Sequence, residues 1–157
     1  MIILGIDPGI SGGLAIVNGV VAGQLTRIEA GIRMPTMQHR GKKLVDGKQM
    51  IEFLLRWDVD VMVCEWVHAM PRQGVTSAFS FGRSTGAVEA LGLFWAGRAE
   101  WVSPQVWKKH YGLSKDKQAS LDLAQQKFGD DFVWRKKADD GIAEAALIAH
   151  WFLDKHI

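Results

Sequence analysis

The chain has 157 residues, and its 19 basic and 17 acidic side chains leave a formal charge of only +2. Hydrophobic residues make up 48% of the sequence, which is typical of folded domains and excludes an intrinsically disordered chain. The length fits one domain over residues 1–157, and the single cysteine excludes a disulfide framework and a four-cysteine zinc site. No apolar run reaches the ~20 residues that span a bilayer, and the N-terminal sequence lacks the basic start of a signal peptide. Neither membrane insertion nor secretion is expected.

The first part of the sequence predicts three strands of an antiparallel meander, at residues 2–7, 12–17 and 20–28. The first of these apolar runs ends at Asp7, directly before a Pro-Gly turn. Asn18-Gly19 lies between the second and third runs, and an Asn-Gly pair between apolar runs favours a type I′ hairpin turn. Residues 29–46 contain glycine and proline among basic side chains and are predicted to form a loop.

The rest of the sequence alternates between helices and strands. The predicted elements are a helix at 46–57 capped by Asp46, a strand at 59–64, a helix at 76–95, a strand at 100–103, and helices at 104–112, 114–128 and 138–153. The last helix is expected to turn Ala143, Leu147, Ile148 and Trp151 towards the core. This order predicts an α/β fold in which helices flank a mixed sheet of five strands.

Acidic residues follow two of the predicted strands and begin the last helix. Asp7 ends the first strand and Glu65 follows the strand at 59–64, so neighbouring parallel strands would bring both to one edge of the sheet. Asp140 and Glu144 are four residues apart and therefore share one face of a helix. Carboxylate oxygens suit Mg²⁺ or Mn²⁺, and two such ions can hold the attacking and leaving oxygens of a phosphodiester displacement.

Each of these acids also has an ordinary structural interpretation. Asp7 can be a turn residue at the end of a strand, and Asp139 or Asp140 can begin a helix whose dipole favours negative charge. The prediction of a metal site therefore depends on the combination of all four acids in this order along the chain.

Four sequence blocks resemble the RuvC family of Holliday junction resolvases, most closely its phage and plant-organelle branches. The blocks are GIDPGISGGLAIV, VCEWVHAMPRQGVTSAFSFGRSTGAVEAL, SPQVWKK and KADDGIAEAALIAHW. They cover nearly the whole chain in the order that the family has. The resemblance implies a ribonuclease H-like fold and a homodimer. It also implies nicking of two opposing strands of a four-way DNA junction with two Mg²⁺ ions, which Mn²⁺ can replace.

By this resemblance, the catalytic and metal-binding acids include Asp7, Glu65 and Glu144. The last of them is an aspartate in many relatives. Typical bacterial members carry the remaining acid three residues earlier, where this chain has Gly141. Asp140 shares a helical face with Glu144, whereas Asp139 points ~140° away. Asp140 is therefore the predicted fourth ligand, and Asp139 a supporting or capping residue.

The basic residues are concentrated in segments at 27–48, 108–117 and 135–137. Contacts from lysine and arginine to phosphates dominate DNA affinity, although many lysines only solvate a surface. The 135–137 triplet lies next to the predicted carboxylates, and two lysines match DNA-facing positions of the family. The loop after Glu65 carries a histidine near the position where the family inserts an aromatic side chain. The predicted DNA-binding residues are His68, Arg72, Lys108, Lys117, Arg135, Lys136 and Lys137.

The helix at 76–95 is the predicted homodimer surface, because a twofold dimer would hold two active sites at a fixed separation. Its surface is expected to include Phe79, Phe81, Gly82, Gly86 and Val88. A buried core helix without a partner is the alternative.

Together these features predict a Mg²⁺-dependent endodeoxyribonuclease that resolves Holliday junctions by paired symmetric nicks in DNA recombination and repair. A related nuclease that acts on forks, flaps or RNA–DNA hybrids is the alternative within the same fold. A non-catalytic junction-binding module is the alternative from another class. Half of an actin-like ATP-binding unit is disfavoured because the chain has no second phosphate loop. The expected location is the cytoplasm, at the nucleoid or in the host of a phage, with an organelle as a further alternative.

Overall fold

In the computed structural model of this chain, residues 1–19, 26–114, 116–129 and 137–156 are described, except for the side chain of Lys137. The strands are β1 (Ile2–Asp7), β2 (Gly13–Asn18), β3 (Arg27–Arg33), β4 (Thr36–His39), β5 (Lys42–Val45), β6 (Val61–Glu65) and β7 (Arg98–Val102). The helices are α1 (Gly47–Leu54), α2 (Val75–Trp95), α3 (Pro104–His110), α4 (Lys117–Phe128) and α5 (Asp140–His156). A 3₁₀ turn, Lys137–Asp139, leads directly into α5.

A five-stranded mixed sheet in the order β3-β2-β1-β6-β7 forms the centre of the fold. The first three strands along the chain pair in antiparallel fashion, whereas β1, β6 and β7 run parallel. The middle residues of β1 and β6 are all buried because helices cover both faces of the sheet, which explains their uninterrupted apolar sequences. The predicted α/β fold with a five-stranded mixed sheet and an N-terminal meander is confirmed.

Each face of the sheet has its own hydrophobic core. Helices α3, α4 and α5 cover one face, where Trp107 and Phe152 are among the largest buried side chains. Helices α1 and α2 cover the other face, where Met50 and Leu54 of α1 pack against the strands. The Asp46 side chain caps α1 by accepting from the backbone N–H groups of Lys48 and Gln49, as predicted. The four α5 residues expected in the core are buried as well. Among the described residues, no helix is long and apolar enough to cross a membrane.

Glycines let α5 approach the sheet at backbone distance. A Cβ at Gly13 would lie 2.7 Å from the backbone nitrogen of Ile142, and one at Gly141 would lie 2.6 Å from the Cα of Gly12. A Cβ at Gly5 would collide with the carbonyl oxygen of Ala145. Real side chains do not reach such distances from backbone atoms, so these glycines fix the distance between α5 and β1–β2.

The predicted type I′ turn at Asn18-Gly19 is wrong. Strand β2 ends at Asn18, which pairs with Arg27, so residues 19–26 connect the two strands. Neither residue of the pair has the positive φ that the turn needs. Gly19 instead packs against Leu153, whose Cδ1 would lie 3.1 Å from an added Cβ. The rest of the predicted strand at 20–28 falls mostly on residues 20–25, which lie outside the described residues.

The predicted loop at 29–46 is also wrong. It contains most of β3 and the hairpin of β4 and β5, which form a separate two-stranded sheet. The hairpin reverses at Arg40-Gly41, where φ is 49° and 72°. The sequence hid this hairpin because its residues are mostly exposed and polar, so they lack the apolar alternation of a half-buried strand.

Helix α2 does not present its predicted surface in full. Val88 is completely buried and packs towards the sheet with Ser84 and Gly92, so it cannot contribute to an outer face. Phe79 is 66% exposed, and an added Cβ at Gly82 or Gly86 would meet no atom within 4 Å. The helix therefore has one buried edge, with a four-residue spacing, and an open outer side.

Candidate active site

Asp7 and Glu65 lie side by side at the carboxyl edge of the sheet. Strands β1 and β6 are parallel neighbours, and their register ends with Ile6 opposite Cys64. The next residue of each strand is therefore the predicted acid. Glu65 is only 8% exposed although it carries a carboxyl group. The sequence predicted this pair of acids at one edge of the sheet for the case that the two strands are neighbours, and they are.

The close approach of α5 brings its first turn to the same edge. Gly141 contacts the backbone of Gly12, which lies against Asp7: a Cβ at Gly12 would be 2.7 Å from the Asp7 Cγ. No side chain fits at position 141, so an acid three residues before Glu144 is excluded in this chain. Asp140 comes one residue earlier, directly before the contact between Gly141 and Gly12, and its side chain is buried.

The carboxyl groups of Asp7, Glu65 and Glu144 lie close enough to influence one another's ionisation. The pKa of Asp7 is raised to about 8, first by burial and then by the negative charges of Glu65 and Glu144. A hydrogen bond from the Gly9 backbone and the charge of Lys108 offset only part of this effect. Burial also raises the pKa of Glu65, against a hydrogen bond that favours its ionised form. The site is therefore short of positive charge and would attract cations.

Two lysines neutralise the acids of α5. Lys108 on α3 places its Nζ 2.8 Å from the Oε1 of Glu144. Lys117 at the start of α4 forms an ion pair with Asp140, and the hydrogen bond between them raises the pKa of the lysine. Both lysines were predicted as DNA contacts, and the structure places their ammonium groups directly on the predicted metal ligands.

Asp139 has a different environment from Asp140. Its Oδ1 accepts from the Nε and Nη2 of Arg33 at 2.8 and 2.7 Å. This pair ties the 3₁₀ turn before α5 to the end of β3. Asp140 therefore shares the lysine-lined side of the site with Glu144, whereas Asp139 anchors the beginning of the helix.

Sequence reasoning missed two residues that orient the acids. The indole Nε1 of Trp107 donates to the Oε1 of Glu65 at 2.8 Å, and the Oγ of Ser120 donates to the Oε1 of Glu144 at 3.0 Å. The position of each residue relative to a predicted lysine could have indicated its role. Trp107 precedes Lys108, and Ser120 lies three residues after Lys117, on the same face of α4.

The other predicted DNA contacts lie apart from the carboxylates or outside the described residues. His68 and Arg72 are exposed on the loop between β6 and α2, where they line a cavity of about 790 Å³ with Trp66 and Met70. Arg135 and Lys136 lie outside the described residues, as does the side chain of Lys137. Their prediction as DNA contacts stays a prediction.

The donor set fits Mg²⁺ or Mn²⁺ better than a metal that needs a closed cage. Within the described ranges, no three carboxylate, imidazole or thiol groups lie close enough together to enclose an ion. Structural zinc requires four such ligands, whereas Mg²⁺ is usually held by one or two carboxylates together with water and substrate phosphates. Asp7 with Glu65, and Asp140 with Glu144, offer two such carboxylate pairs.

No protein-family model matches the sequence, and no curated protein matches it significantly. Solved structures do match the fold. Thermus thermophilus RuvC has a TM-score of 0.68 at 18% identity, covering 99% of this chain and 96% of RuvC. RuvC of T. thermophilus in complex with Holliday junction substrate has a TM-score of 0.67 at 19% identity, with the same coverage. The fowlpox virus Holliday junction resolvase has a TM-score of 0.63 at 18% identity, covering 99% of both chains. The chain therefore has the ribonuclease H-like fold of RuvC and of Holliday junction resolvases, as the resemblance implied.

Proposed function

We propose that this protein is a structure-specific endonuclease that binds four-way DNA junctions and nicks two opposing strands, with Mg²⁺ held by Asp7, Glu65, Asp140 and Glu144. The observation that carries the proposal is the position of Asp7 and Glu65 side by side at the carboxyl edge of β1 and β6, within electrostatic reach of Glu144. Burial and mutual repulsion raise the Asp7 pKa to about 8, which is unfavourable for a merely structural aspartate. The junction-bound RuvC structure supports the choice of substrate.

The chain supplies orientation and charge for phosphodiester hydrolysis. Asp7, Glu65, Asp140 and Glu144 would hold Mg²⁺, which supplies activation of water and stabilisation of the leaving oxygen when bound. The indole of Trp107 holds one oxygen of Glu65, which leaves the other oxygen available as a ligand. Ser120 does the same for Glu144. These hydrogen bonds reduce the rotational freedom of the acids before any cation binds.

Lys108 and Lys117 are proposed to exchange partners when DNA binds. In the free chain, their ammonium groups are paired with Glu144 and Asp140. With these carboxylates bound to Mg²⁺, both ammonium groups would be available to phosphate oxygens at the scissile position. The two lysines would therefore neutralise the acids of α5 in the free protein and contact the substrate in the complex.

The remaining parts of the proposal concern assembly and location. A single domain over residues 1–157 would form a twofold homodimer through the outer side of α2, whose Phe79 and Phe94 are 66% and 81% exposed. The dimer would act in recombination and repair in the cytoplasm, at the nucleoid or in a phage-infected host, with an organelle as the alternative. His68, Arg72 and residues 135–137 would add DNA contacts around the site.

A second candidate is a non-catalytic junction-binding module. It is favoured by the ion pairs of Lys108 and Lys117, because these already satisfy two of the four acids without a metal. Asp7 forms no ion pair of its own among the described residues, and its desolvated carboxyl group, next to those of Glu65 and Glu144, argues for the enzyme instead.

The test is incubation of end-labelled four-way junctions, forks, flaps and RNA–DNA hybrids with the protein in Mg²⁺, Mn²⁺ or EDTA. We expect paired symmetric nicks in the junction, lost in EDTA and reduced about 1,000-fold or more by Asp7→Asn or Glu65→Gln, because a neutral amide is a poor ligand for Mg²⁺. Both variants should still bind the junction. Asp58→Asn, at an exposed aspartate, is the matched control and should nick like the wild type.

Each alternative has its own result. Binding without nicking in every metal identifies a non-catalytic module, and faster cleavage of forks, flaps or hybrids identifies a different nuclease. Near wild-type nicking by Asp7→Asn would contradict the assignment of the site.

A further inference from the structure

Two arginines occupy strained backbone positions. Arg40 and Arg72 have φ of 49° and 67°, and they are the non-glycine residues with positive φ in the part of the chain that the structure describes. Glycine, asparagine and aspartate are the usual residues in this conformation, because a longer side chain offers no local compensation for the strain. Strained residues of other types point to a role for the side chain itself. Both of these side chains are exposed.

The two arginines lie at opposite ends of a row of cavities along α2. The loop cavity of about 790 Å³ that contains Arg72 shares Gln73 and Phe81 with a second cavity of about 190 Å³. A small cavity of about 110 Å³ at Ser84 and Arg83 links the second cavity to a last one, of about 280 Å³, that contains Arg40. We name this row the α2 groove. Two of its lining residues follow candidate acids in the chain: Trp66, in the loop cavity, comes directly after Glu65, and Ile10, in the second cavity, comes three residues after Asp7.

The far end of the groove is basic on both walls. The β4–β5 hairpin contributes His39, Arg40 and Lys42, and α2 contributes Arg83. The Arg83 guanidinium lies over the Phe79 ring, 5.8 Å from its centre, which leaves its N–H groups free to donate. No carboxylate lines this cavity, and within the described residues none of its four basic side chains forms an ion pair.

This arrangement differs from that of the lysines at the active site. Lys108 and Lys117 are paired with carboxylates, so they need an exchange of partners before they can contact phosphate. The basic residues of the groove are available without any exchange. Positive groups on two walls of an open channel match the repeated negative charges of a phosphodiester backbone.

We infer that the α2 groove binds the phosphodiester backbone of a DNA arm, with Arg40, Lys42 and Arg83 contacting phosphates beyond the scissile one. The inference rests on the proposed nuclease function for its choice of DNA as the polyanion. Arg72 at the near end and Arg40 at the far end would then hold the same strand as it leaves the active site.

The test measures the salt dependence of junction binding in EDTA, where no nicking occurs. The groove variant is Arg40→Asn with Lys42→Gln, and the charge-matched control is Arg56→Gln with Lys155→Gln, at exposed residues outside the groove. Asparagine accepts a positive φ, so the hairpin turn is retained. Each phosphate contact adds about 0.9 to the slope of log affinity against log salt. We expect the groove variant to lose about 1.8 of this slope for each bound subunit, and the control to keep the wild-type slope.

Arg83→Gln is a second variant, on the opposite wall, that leaves the hairpin untouched. It should lose about 0.9 of the slope for each subunit. Thermal midpoints equal to that of the wild type establish that both variants are folded. Equal slopes in the groove variants and the control would overturn the inference. Weaker binding of poly-glutamate with an unchanged junction slope would also overturn it and assign the groove to an acidic protein.

Failure of the inference and failure of the proposed function are distinguishable. Because binding is measured without divalent metal, a wild-type protein that binds the junction but does not nick it in Mg²⁺ contradicts the nuclease alone. Nicking by the wild type together with unchanged slopes in the variants contradicts the groove alone.

Discussion

Helices α5 and α2 are both long, but they meet the sheet in different ways. Most residues of α5 are buried, and its backbone contacts β1 and β2 through glycines. Only Ser84, Val88 and Gly92 of α2 are buried, and its outer side carries exposed apolar residues. Because α5 is packed so closely on the sheet, contacts within one chain are enough to determine the positions of its acids. The outer side of α2 is not packed against any other element of the described residues. Its exposed phenylalanines are typical of an interaction surface.

The largest effect is expected in the first turn of α5, where the two adjacent aspartates have different partners. Asp140→Asn should reduce nicking about 1,000-fold, because this residue is a proposed Mg²⁺ ligand paired with Lys117. Asp139→Asn should reduce it about 10-fold, since the pair of this residue with Arg33 anchors the beginning of the helix. Single-turnover nicking of a labelled junction measures both. A greater loss from Asp139→Asn would show that the helical assignment is wrong.

The next effect compares the same substitution in the two helices. Gly141→Ala should lower the free energy of unfolding by about 3 kcal/mol, because the new Cβ would overlap the backbone of Gly12. Gly86→Ala should raise it by about 0.5–1 kcal/mol, because alanine favours a helix and the site is open. Urea denaturation at low protein concentration measures both changes.

Protein concentration extends this comparison to the proposed dimer. If a second copy packs on the outer side of α2, Gly86→Ala should lower stability increasingly as concentration rises, and sedimentation should show weaker self-association. A stabilising effect at every concentration, with unchanged sedimentation, would place the dimer contact elsewhere. Equal effects of Gly141→Ala and Gly86→Ala would contradict the difference between the helices.

The smallest effect tests the electrostatics of the site through pH and metal. The folded pKa of Asp7, about 8, exceeds its ordinary value of 3.8, so the folded state binds the extra proton between these values. This favours the folded state at the acidic end of the window, and the advantage is lost as pH rises through 8. In EDTA, we expect the thermal midpoint to fall by about 3 °C between pH 7 and pH 8.5.

Two controls isolate this effect. Asp7→Asn should remove most of the fall, and Mg²⁺ at ten times its Kd should raise the wild-type midpoint at pH 8.5 by about 4 °C. Burial is the main cause of the lowered pKa of His150. The effect of His150 on stability therefore changes only below about pH 6.5 and does not interfere between pH 7 and pH 8.5. A midpoint that rises with pH in EDTA would contradict the convergence of the acids.

Local sequence patterns predicted the elements whose environment is uniform. Strands β1 and β6 are buried on both faces and therefore have continuous apolar sequences. The cap at Asp46 and the helical spacing of the buried residues of α5 can likewise be recognised within a few consecutive residues. The exposed β4–β5 hairpin and the end of β2 were not predictable in this way. Gly19 packs on Leu153, which is far away in the chain, and the hairpin turns at Arg40, a residue type that the usual turn pattern does not contain.

The sequence by itself determined that Asp7 and Glu65 end two buried strands and that Asp140 and Glu144 share one face of a helix. It could not determine the distance between these pairs, nor the hydrogen bonds from Trp107 and Ser120 to the acids. Those were decided by the tertiary structure, because they depend on contacts between residues far apart in the chain. The backbone contact of Gly141 with Gly12 is the physical reason for the position of the fourth acid: it excludes a side chain at 141 and leaves the adjacent Asp140 to face Lys117.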